Sequence, residues 1–233
     1  MKNRFYVLFI IILLIIFGVG GCKNTEQLPH NSSETPLSSP PSDNPPMSVY
    51  QSVLQNKTQF FSIDTQKNLT ITQLNQAVSN DNSVKVKVTK FTLADLEKDD
   101  IPEVILWLAA NNSEDFGFEV LNYKNEMIYG YTLPFRSFMD LKDDGTFSFS
   151  SGAADYGFGT IEFTKNGYMI NKISYSESNY DSNNNLIISY FVNHENTTKE
   201  DFLSTINKQN EKRGVTWYDF TDDNIERLLS SYK

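Results

Sequence analysis

Val104-Ile105-Leu106-Trp107-Leu108-Ala109-Ala110 is a run of apolar residues without a polar interruption. A strand that shows one face to water alternates apolar and polar residues, whereas a continuous apolar run is typical of a strand buried on both faces. We therefore predict that residues 104–110 form a central strand of a sheet, and that the rest of the fold is arranged around it.

The segment before this run predicts a strand with one exposed face. Residues 84–88 alternate valine and lysine, and the pattern extends through residue 93. Alternation with period two places the valines on one face and the lysines in solvent.

The segment after the run predicts a series of hairpins, because turn signals separate short alternating strands. These signals are Lys124-Asn125 between residues 118–123 and 127–132, Asp143-Asp144-Gly145 between 138–141 and 146–150, and Asn166-Gly167 between 161–164 and a strand from 168. In that last strand Tyr168 and Ile170 share one face, whereas Ile173 and Tyr175 have the opposite parity. A bulge near Asn171 would bring all four to the same side and is therefore predicted. Residues 181–185 close a further turn before the final predicted strand, 186–192.

Apolar residues at helical spacing occur at both ends of the domain. The predicted helices are 48–62 with Ser48 as its cap, a short helix after a short strand within 69–78, a helix from the overlapping capping boxes at Thr197 and Thr198 up to Gly214, and a final helix capped by Thr221. The predicted class is α+β, with an antiparallel β-sheet or partial barrel of hairpins, an N-terminal helix and C-terminal helices.

The N-terminus has the layout of a secretory signal. Lys2 and Arg4 form a positive region, residues 5–17 are all apolar, and Cys22 is the only cysteine of the chain. The alternative is an uncleaved membrane anchor, because residues 5–21 reach the lower limit of a membrane span. In both cases the bulk of the chain faces away from the cytoplasm.

Val19-Gly20-Gly21-Cys22 resembles the lipobox of bacterial lipoproteins, which has an aliphatic residue, small residues and cysteine in this register. The resemblance implies cleavage after residue 21, lipidation of Cys22 and a lipid anchor on the extracytoplasmic face of the cell membrane. The cysteine thiolate is the side chain that takes a thioether-linked lipid. Each buried methylene contributes about 0.8 kcal/mol and one acyl chain binds only marginally, so a diacylglyceryl group makes the attachment stable.

Residues 22–47 are predicted to form a disordered spacer. Six of the eight prolines lie in this segment among Ser, Asn and Thr, so it cannot bury a core. An extended proline-rich chain spans about 3 Å per residue and would hold a domain several tens of ångströms from the membrane. The predicted divisions are a signal peptide at 1–21, the lipidated Cys22 with its spacer at 22–47, and a single extracytoplasmic α+β domain at 48–233.

The charge of the chain argues against nucleic acid as a partner. The formal net charge is −9, and removal of residues 1–21 takes away Lys2 and Arg4, which leaves 18 basic and 29 acidic residues and a net charge of −11. Nucleic-acid binding requires a basic footprint. Once Cys22 is lipidated, no thiol remains for a disulfide, so the domain must be stabilised by its core.

Asp95-Leu96-Glu97-Lys98-Asp99-Asp100-Ile101-Pro102-Glu103 resembles a degenerate form of the Asp-x-Asp-x-Asp-Gly calcium loops found in dockerins and many exported bacterial domains. Calcium takes about six to eight oxygen ligands. The ligands that the resemblance implies are the side chains of Asp95, Glu97, Asp99 and Glu103 and the carbonyl of Ile101. Asp100 replaces the turn glycine, although aspartate tolerates the left-handed region. The alternative is a strand-connecting turn without a metal.

Few residues suggest catalysis. His30 lies in the spacer and His194 is alone near a helix start, so neither a metal cluster of imidazoles nor a Ser-His arrangement can be assembled from the one histidine of the domain and its neighbours. A carboxylate pair such as Asp155 and Glu162 is the remaining option for a hydrolase.

The whole layout resembles uncharacterised exported lipoproteins of low-GC Gram-positive bacteria. We therefore expect a membrane-anchored binding or structural module of the cell envelope, with an unknown envelope or extracellular ligand as its partner. An enzyme is the less favoured interpretation. The alternative function is a cell-envelope hydrolase that uses a carboxylate pair.

Replacement of Cys22 tests the lipid anchor. The variant Cys22→Ala is expected to lack a lipid, and to be either retained as the uncleaved precursor or shed into the medium. Mass spectrometry of the wild-type N-terminal peptide should find Cys22 as its first residue, with a lipid attached. A wild-type N-terminus without lipid on Cys22 contradicts the assignment.

Overall fold

The computed structural model describes residues 45–78, 84–111 and 113–232. The predicted signal peptide, the lipobox with Cys22 and the spacer up to residue 44 lie outside the described residues. In the part of the chain that is described, no helix is both long enough and apolar enough to cross a membrane.

The predicted α+β class is confirmed, and the strands form two open sheets. The helices are α1 (Pro45–Leu54), α2 (Asn75–Val78), α3 (Lys199–Glu211) and α4 (Asp222–Ser231), with single 3₁₀ turns at Ile71–Gln73 and Phe135–Ser137. The strands are β1 (Phe60–Ser62), β2 (Lys67–Leu69), β3 (Val86–Ala94), β4 (Glu103–Ala110), β5 (Ser113–Lys124), β6 (Met127–Pro134), β7 (Phe147–Ser150), β8 (Tyr156–Thr164), β9 (Gly167–Tyr180), β10 (Leu186–Val192), β11 (Glu195–Thr197) and β12 (Tyr218–Asp219).

The first sheet has seven strands in the order β12-β3-β4-β5-β6-β1-β2, and the second has five in the order β11-β10-β9-β8-β7. Neighbouring strands are antiparallel except for β1, which pairs in parallel with β6. Most strands that lie side by side are also consecutive in sequence, as the predicted series of hairpins requires.

The predicted central strand is confirmed as β4, which lies between β3 and β5. Val104, Leu106 and Leu108 face one core, which α1 and α4 cover. Ile105 faces the other core, which lies between the two sheets. Because successive side chains of a strand point to opposite faces, an uninterrupted apolar run lets β4 serve both cores.

Helix α3 forms a further layer on the outer face of the second sheet. Phe202 of α3 is fully buried and its ring contacts those of Tyr156 and Tyr190. Tyr156 and Ile161 lie on opposite faces of β8, because they are an odd number of positions apart. Ile161 belongs to the core between the sheets, so Tyr156 and α3 lie on the other side of the second sheet. The domain is thus a stack of helices, first sheet, second sheet and helix.

The predicted helix at 48–62 is confirmed in part, with different ends. Helix α1 begins at Pro45, because proline suits the first helical turn, where backbone N–H groups have no partner inside the helix. It ends at Leu54, just before Asn56 adopts a left-handed φ of 57°. Ser48 does not cap it, since its hydroxyl donates to the carbonyl of Pro45 at 2.9 Å.

The predicted hairpin turns are present with shifts of one residue. Asn125 and Glu126 form the β5–β6 turn with φ values of 51° and 62°, which is typical of a type I′ turn. Lys165 and Asn166 form the β8–β9 turn, and Gly167 is the first residue of β9. The predicted strand 138–141 is reduced to a single bridge, from Met139 to β7.

The predicted bulge is present two residues further along β9. Phe158 and Gly159 are neighbours in β8, yet they pair with Ser174 and Lys172, so Ile173 is the extra residue. The final predicted strand is confirmed as β10, but the short strands β11 and β12 follow it.

Both C-terminal helices are confirmed with their predicted caps. The hydroxyl of Thr198 accepts from the Asp201 N–H at 3.1 Å, and that of Thr221 accepts from the Asn224 N–H at 3.3 Å. Helix α3 ends at Glu211, before the predicted stop at Gly214.

Gly157 is expected to be required for the pairing of β8 with β9. A Cβ added there would collide with the Ser174 carbonyl oxygen and lie 2.7 Å from the Cα of Tyr175. Because backbone atoms cannot move aside, Gly157→Ala should lower the free energy of unfolding by about 1–3 kcal/mol in urea denaturation. For a domain of this size the melting midpoint should fall by about 2–4 °C per kcal/mol.

Gly214→Ala is the matched control, because the nearest atom to its added Cβ is the Leu141 carbonyl oxygen at 3.7 Å. It should change stability by no more than about 1 kcal/mol, in either direction. Equal losses in the two variants would contradict the steric explanation.

Candidate functional site

Asp95 organises the acidic loop between β3 and β4. Its carboxylate accepts hydrogen bonds from the backbone N–H groups of Lys98 at 2.7 Å, Asp99 at 3.2 Å and Asp100 at 3.2 Å. Lys98 and Asp100 adopt left-handed φ values of 61° and 67°, so Asp100 does take the conformation usually given to glycine. The loop is closed by its own first carboxylate.

Glu97 connects the two sheets from within this loop. One of its carboxylate oxygens accepts from the backbone N–H of Phe163 in β8, and the other accepts from Nδ2 of Asn122 in β5, both at 3.0 Å. Glu97 therefore joins a strand of each sheet.

Glu103 is 1% exposed and shares the Asn122 amide with Glu97. Its oxygens accept from Asn122 Nδ2 and from the Leu96 N–H, each at 2.8 Å. Burial raises the pKa of Glu103 to about 8, the hydrogen bonds from Leu96 and Asn122 oppose this shift, and the charge of Glu97 adds to it. A carboxyl group enclosed in this way serves packing rather than contact with a ligand.

The predicted calcium ligands do not converge on one point. Glu97 and Glu103 face the interior, whereas Asp95 bonds the amides of its own loop and Asp99 accepts from the N–H of Ile101 at 3.0 Å. Among residues 45–78, 84–111 and 113–232, no group of three or more His, Cys, Asp or Glu side chains could hold a metal ion. As described, the loop is a strand-connecting turn closed by hydrogen bonds to its own carboxylates, and calcium binding stays a prediction of the sequence.

The carboxylate pair considered for a hydrolase is also separated. Asp155 precedes β8 and accepts from the Ser178 N–H at 2.6 Å and from its hydroxyl at 2.7 Å, which lowers the pKa of Asp155. Glu162 lies near the other end of β8. At about 3.3 Å per residue the two are roughly 20 Å apart along the strand, beyond the roughly 5–10 Å that glycosidases use.

Glu119 is a second buried acid that the sequence reading did not select. It lies in β5 on the face covered by α1, where Thr132 donates to its Oε2 at 2.8 Å and its Oε1 has no hydrogen-bond partner among the described residues. Burial raises the pKa of Glu119 to about 8; the bond from Thr132 opposes this and the charge of Asp64 adds to it. Gly130 leaves room for this carboxyl group, since a Cβ there would collide with Oε1.

A cavity of about 290 Å³ opens where the β5–β6 turn faces the β8–β9 turn, and we call it the turn pocket. It is lined by Lys124, Asn125, Tyr129, Tyr131, Phe163, Thr164 and Lys165. Both sheets contribute to it, so it exists only when the two sheets are packed together.

Aromatic rings form the floor of the turn pocket. The rings of Tyr131 and Phe163 lie 4.6 Å apart, and the Tyr131 hydroxyl donates to the carbonyl of Thr164 at 3.1 Å. Burial, with a contribution from the charge of Glu97, raises the pKa of Tyr131 to about 12, so this hydroxyl stays neutral. Tyr129 is held by an edge contact with Phe61 at 6.1 Å. The floor is apolar and fixed by contacts within the protein.

Two lysines lie at the mouth of the turn pocket. Lys124 and Lys165 are exposed, and neither forms an ion pair with a described acidic side chain. Met127 is the first residue of β6 and is 47% exposed. It lies on the same face of that strand as Tyr129. The pocket therefore combines an apolar floor with local positive charge in an acidic chain.

Two other cavities carry charged groups in different arrangements. The cavity beside Trp107 measures about 200 Å³, and the Nζ of Lys90 lies 5.7 Å from the Trp107 ring. The cavity under α3 measures about 260 Å³; its Lys212 pairs with Asp144 at 2.7 Å, and its Lys208 forms no ion pair with a described acidic side chain. The turn pocket differs from these two in that it combines several aromatic rings with two lysines that form no ion pair among the described residues.

Comparison with known proteins gives no functional clue. No family model, no curated protein and no solved structure matches the chain.

The sequence reading missed the turn pocket because its lining comes from two hairpins that lie about forty residues apart in the chain. A signal was present, since a lysine lies in or next to each turn, at positions 124 and 165, and Tyr129 and Tyr131 lie on one face of a strand. Only the packing of the sheets shows that these features meet.

Stability should fall as the pH rises from 5 to 8. Glu119 has a pKa of about 8 in the folded state, above its ordinary value of 4.5, so over this range the folded state binds more protons than the unfolded state. The contribution of such a group is fully present below pH 4.5 and is lost as the pH rises through 8, at a slope of at most about 1.4 kcal/mol per pH unit. Glu103 adds a loss in the same direction.

Glu119→Gln should flatten this decline, because the amide cannot ionise. Urea denaturation at pH 5, 6, 7 and 8 should show that the variant gains stability relative to the wild type as the pH rises. Glu126→Gln, which removes an exposed acid of the β5–β6 turn, is the matched control. A parallel pH dependence in the wild type and Glu119→Gln would rule out Glu119 as a source of the slope.

Proposed function

We propose that this chain is a lipid-anchored, extracytoplasmic binding protein whose turn pocket takes a small organic anion with a flat apolar part. The observation that carries the proposal is the presence, in one cavity, of an aromatic floor and of two lysines that pair with no described acidic side chain. An aromatic floor favours a planar group, and the lysines favour a carboxylate, sulfonate or phosphate.

The size of the turn pocket limits the ligand. At about 290 Å³ it lies at the lower end of the roughly 300–1,000 Å³ of small-molecule sites. One ring system with one acidic group fits such a volume. Met127, which is 47% exposed on the strand face that carries Tyr129, offers further adaptable apolar surface next to that residue.

Anchoring is supported by the lipobox and by the segment between it and the domain. Residues 22–44 separate Cys22 from the start of α1, and a fully extended proline-rich segment of this length would reach roughly 70 Å. The turn pocket would then stand clear of the lipid surface, in contact with envelope or external solutes.

Binding is favoured over hydrolysis because the acids that meet in space are enclosed. Glu97 and Glu103 share one amide, but Glu103 is 1% exposed and both groups are held by interior hydrogen bonds. The pair Asp155 and Glu162 is too widely spaced for the hydrolase alternative.

Titration of the full-length chain in nanodiscs of zwitterionic lipid tests the ligand class. Naphthalene-1-sulfonate is the anionic probe, 1-naphthylmethanol is the uncharged probe, and empty nanodiscs are the blank in isothermal titration calorimetry. We expect saturable binding of the sulfonate at one site, because it matches both the floor and the lysines.

Lys124→Ala with Lys165→Ala should weaken sulfonate binding about fivefold, since two exposed charges together contribute about 1 kcal/mol. Binding of the uncharged alcohol should change much less. Lys85→Ala with Lys87→Ala removes the same charge from exposed positions at β3 and is the matched control. Equal weakening in the two double variants, or no saturable binding to the wild type, contradicts the proposal.

A further inference from the structure

β10 presents an edge without a partner strand. It pairs with β9 along its whole length, but β11 covers its other edge only from Tyr190 to Val192. At residues 186–189 no described strand lies beside that edge. In an antiparallel strand alternate residues point their N–H and C=O groups outward, so this edge offers unpaired ladder groups.

The same segment exposes large apolar side chains. Leu186 is 54% exposed, Ile187 49% and Ile188 38%, and Tyr180, which pairs with Leu186, is 69% exposed. Leu186 and Ile188 lie on one face of the strand and Ile187 on the other, so both faces lack cover. Single exposed apolar residues are common, but an uncovered cluster marks an interaction site.

Charge indicates what this edge accepts. Natural edges are usually protected by charged residues or proline, yet none of Asp, Glu, Lys, Arg or Pro occurs from residue 182 to 194. The chain as a whole carries a net charge of −9, so most contacts between two copies bring like charges together. The uncharged edge is a place where two copies can approach without that repulsion.

We propose that the β10 edge pairs with the same edge of a second copy of this chain, in antiparallel fashion, so that the second sheet continues across a two-fold axis. With the axis at Ile187, that residue lies opposite its own copy and Leu186 lies opposite Ile188. Every central cross-strand pair is then apolar, which is the favourable arrangement for paired strands. Such a self-complementary contact closes as a dimer.

The proposed contact is small, and attachment of both copies to one membrane would favour it. Four residues of strand edge bury less than the about 1,200–2,000 Å² of stable complexes, so the dimer dissociates readily when dilute. Attachment to a membrane raises the effective concentration of one copy around another. This last step rests on the anchor at Cys22 that the proposed function includes.

Cysteine cross-linking of the full-length chain in cell membranes tests the contact. Ile187→Cys is expected to give a disulfide-linked species of twice the chain mass on mild oxidation, because residues opposite each other on paired strands approach to about 4.5–5.5 Å between Cβ atoms. Met169→Cys is the matched control, since Met169 is 52% exposed on β9 of the same sheet. The wild type, whose only cysteine is Cys22, is oxidised in parallel to measure any cross-link that forms through that residue.

Charge at the edge provides the second variant. In the Ile187→Cys background, Ile188→Lys should reduce the cross-linked fraction at least fivefold, while Met169→Lys should leave it unchanged. Equal cross-linking at positions 169 and 187, a cross-link to a different protein, or no response to Ile188→Lys overturns the proposal.

Cross-linking of the purified full-length chain at high concentration separates a wrong edge from a missing anchor. A cross-link that forms in concentrated protein but not in cells supports the edge contact and speaks against the anchor. Absence of the cross-link in both settings overturns the edge contact.

Discussion

Burial of β4 on both faces is the constraint on which the rest of the structure depends. Val104, Leu106 and Leu108 need an apolar layer on one side, and Ile105 and Trp107 need another on the opposite side. Helices α1 and α4 supply the first layer, and the second sheet supplies the other. A chain without disulfides in its described part can reach this arrangement because each layer contributes apolar area to a core that β4 shares.

Most elements of the fold follow from local patterns, and the exceptions have physical reasons. The runs at β3, β4 and β10 and the caps Thr198 and Thr221 could be predicted, because each depends on residues close in sequence. The end of α1 could not, because Phe60 and Phe61 continue the apolar spacing of a helix but belong to β1, which pairs with β2 and, in parallel, with β6. That parallel pairing joins residues almost seventy positions apart, and no local pattern reports it.

In the acidic loop the regularly spaced carboxylates accept hydrogen bonds from groups of the protein itself. Asp95 and Asp99 stabilise the turn through its amides, and Glu97 and Glu103 fix the loop to Asn122 and to the second sheet. The spacing of carboxylates could be predicted from sequence, but their directions could not, because direction depends on which buried donors lie nearby. The turn pocket could not be predicted from sequence, because its lining residues form no local motif. They come together only when the two sheets pack.

The contact between the first and last helices has a consequence for how the chain reaches its native state. Helices α1 and α4 pack together on one core, and β12 near the C-terminus completes the first sheet beside β3. Contacts between the two ends of a chain carry a large loop-closure cost and slow the search for the native topology. Without α4, the core between the first sheet and the helices lacks Ile225 and Leu229. A polypeptide made from its N-terminus therefore cannot complete this core until its C-terminal residues are available.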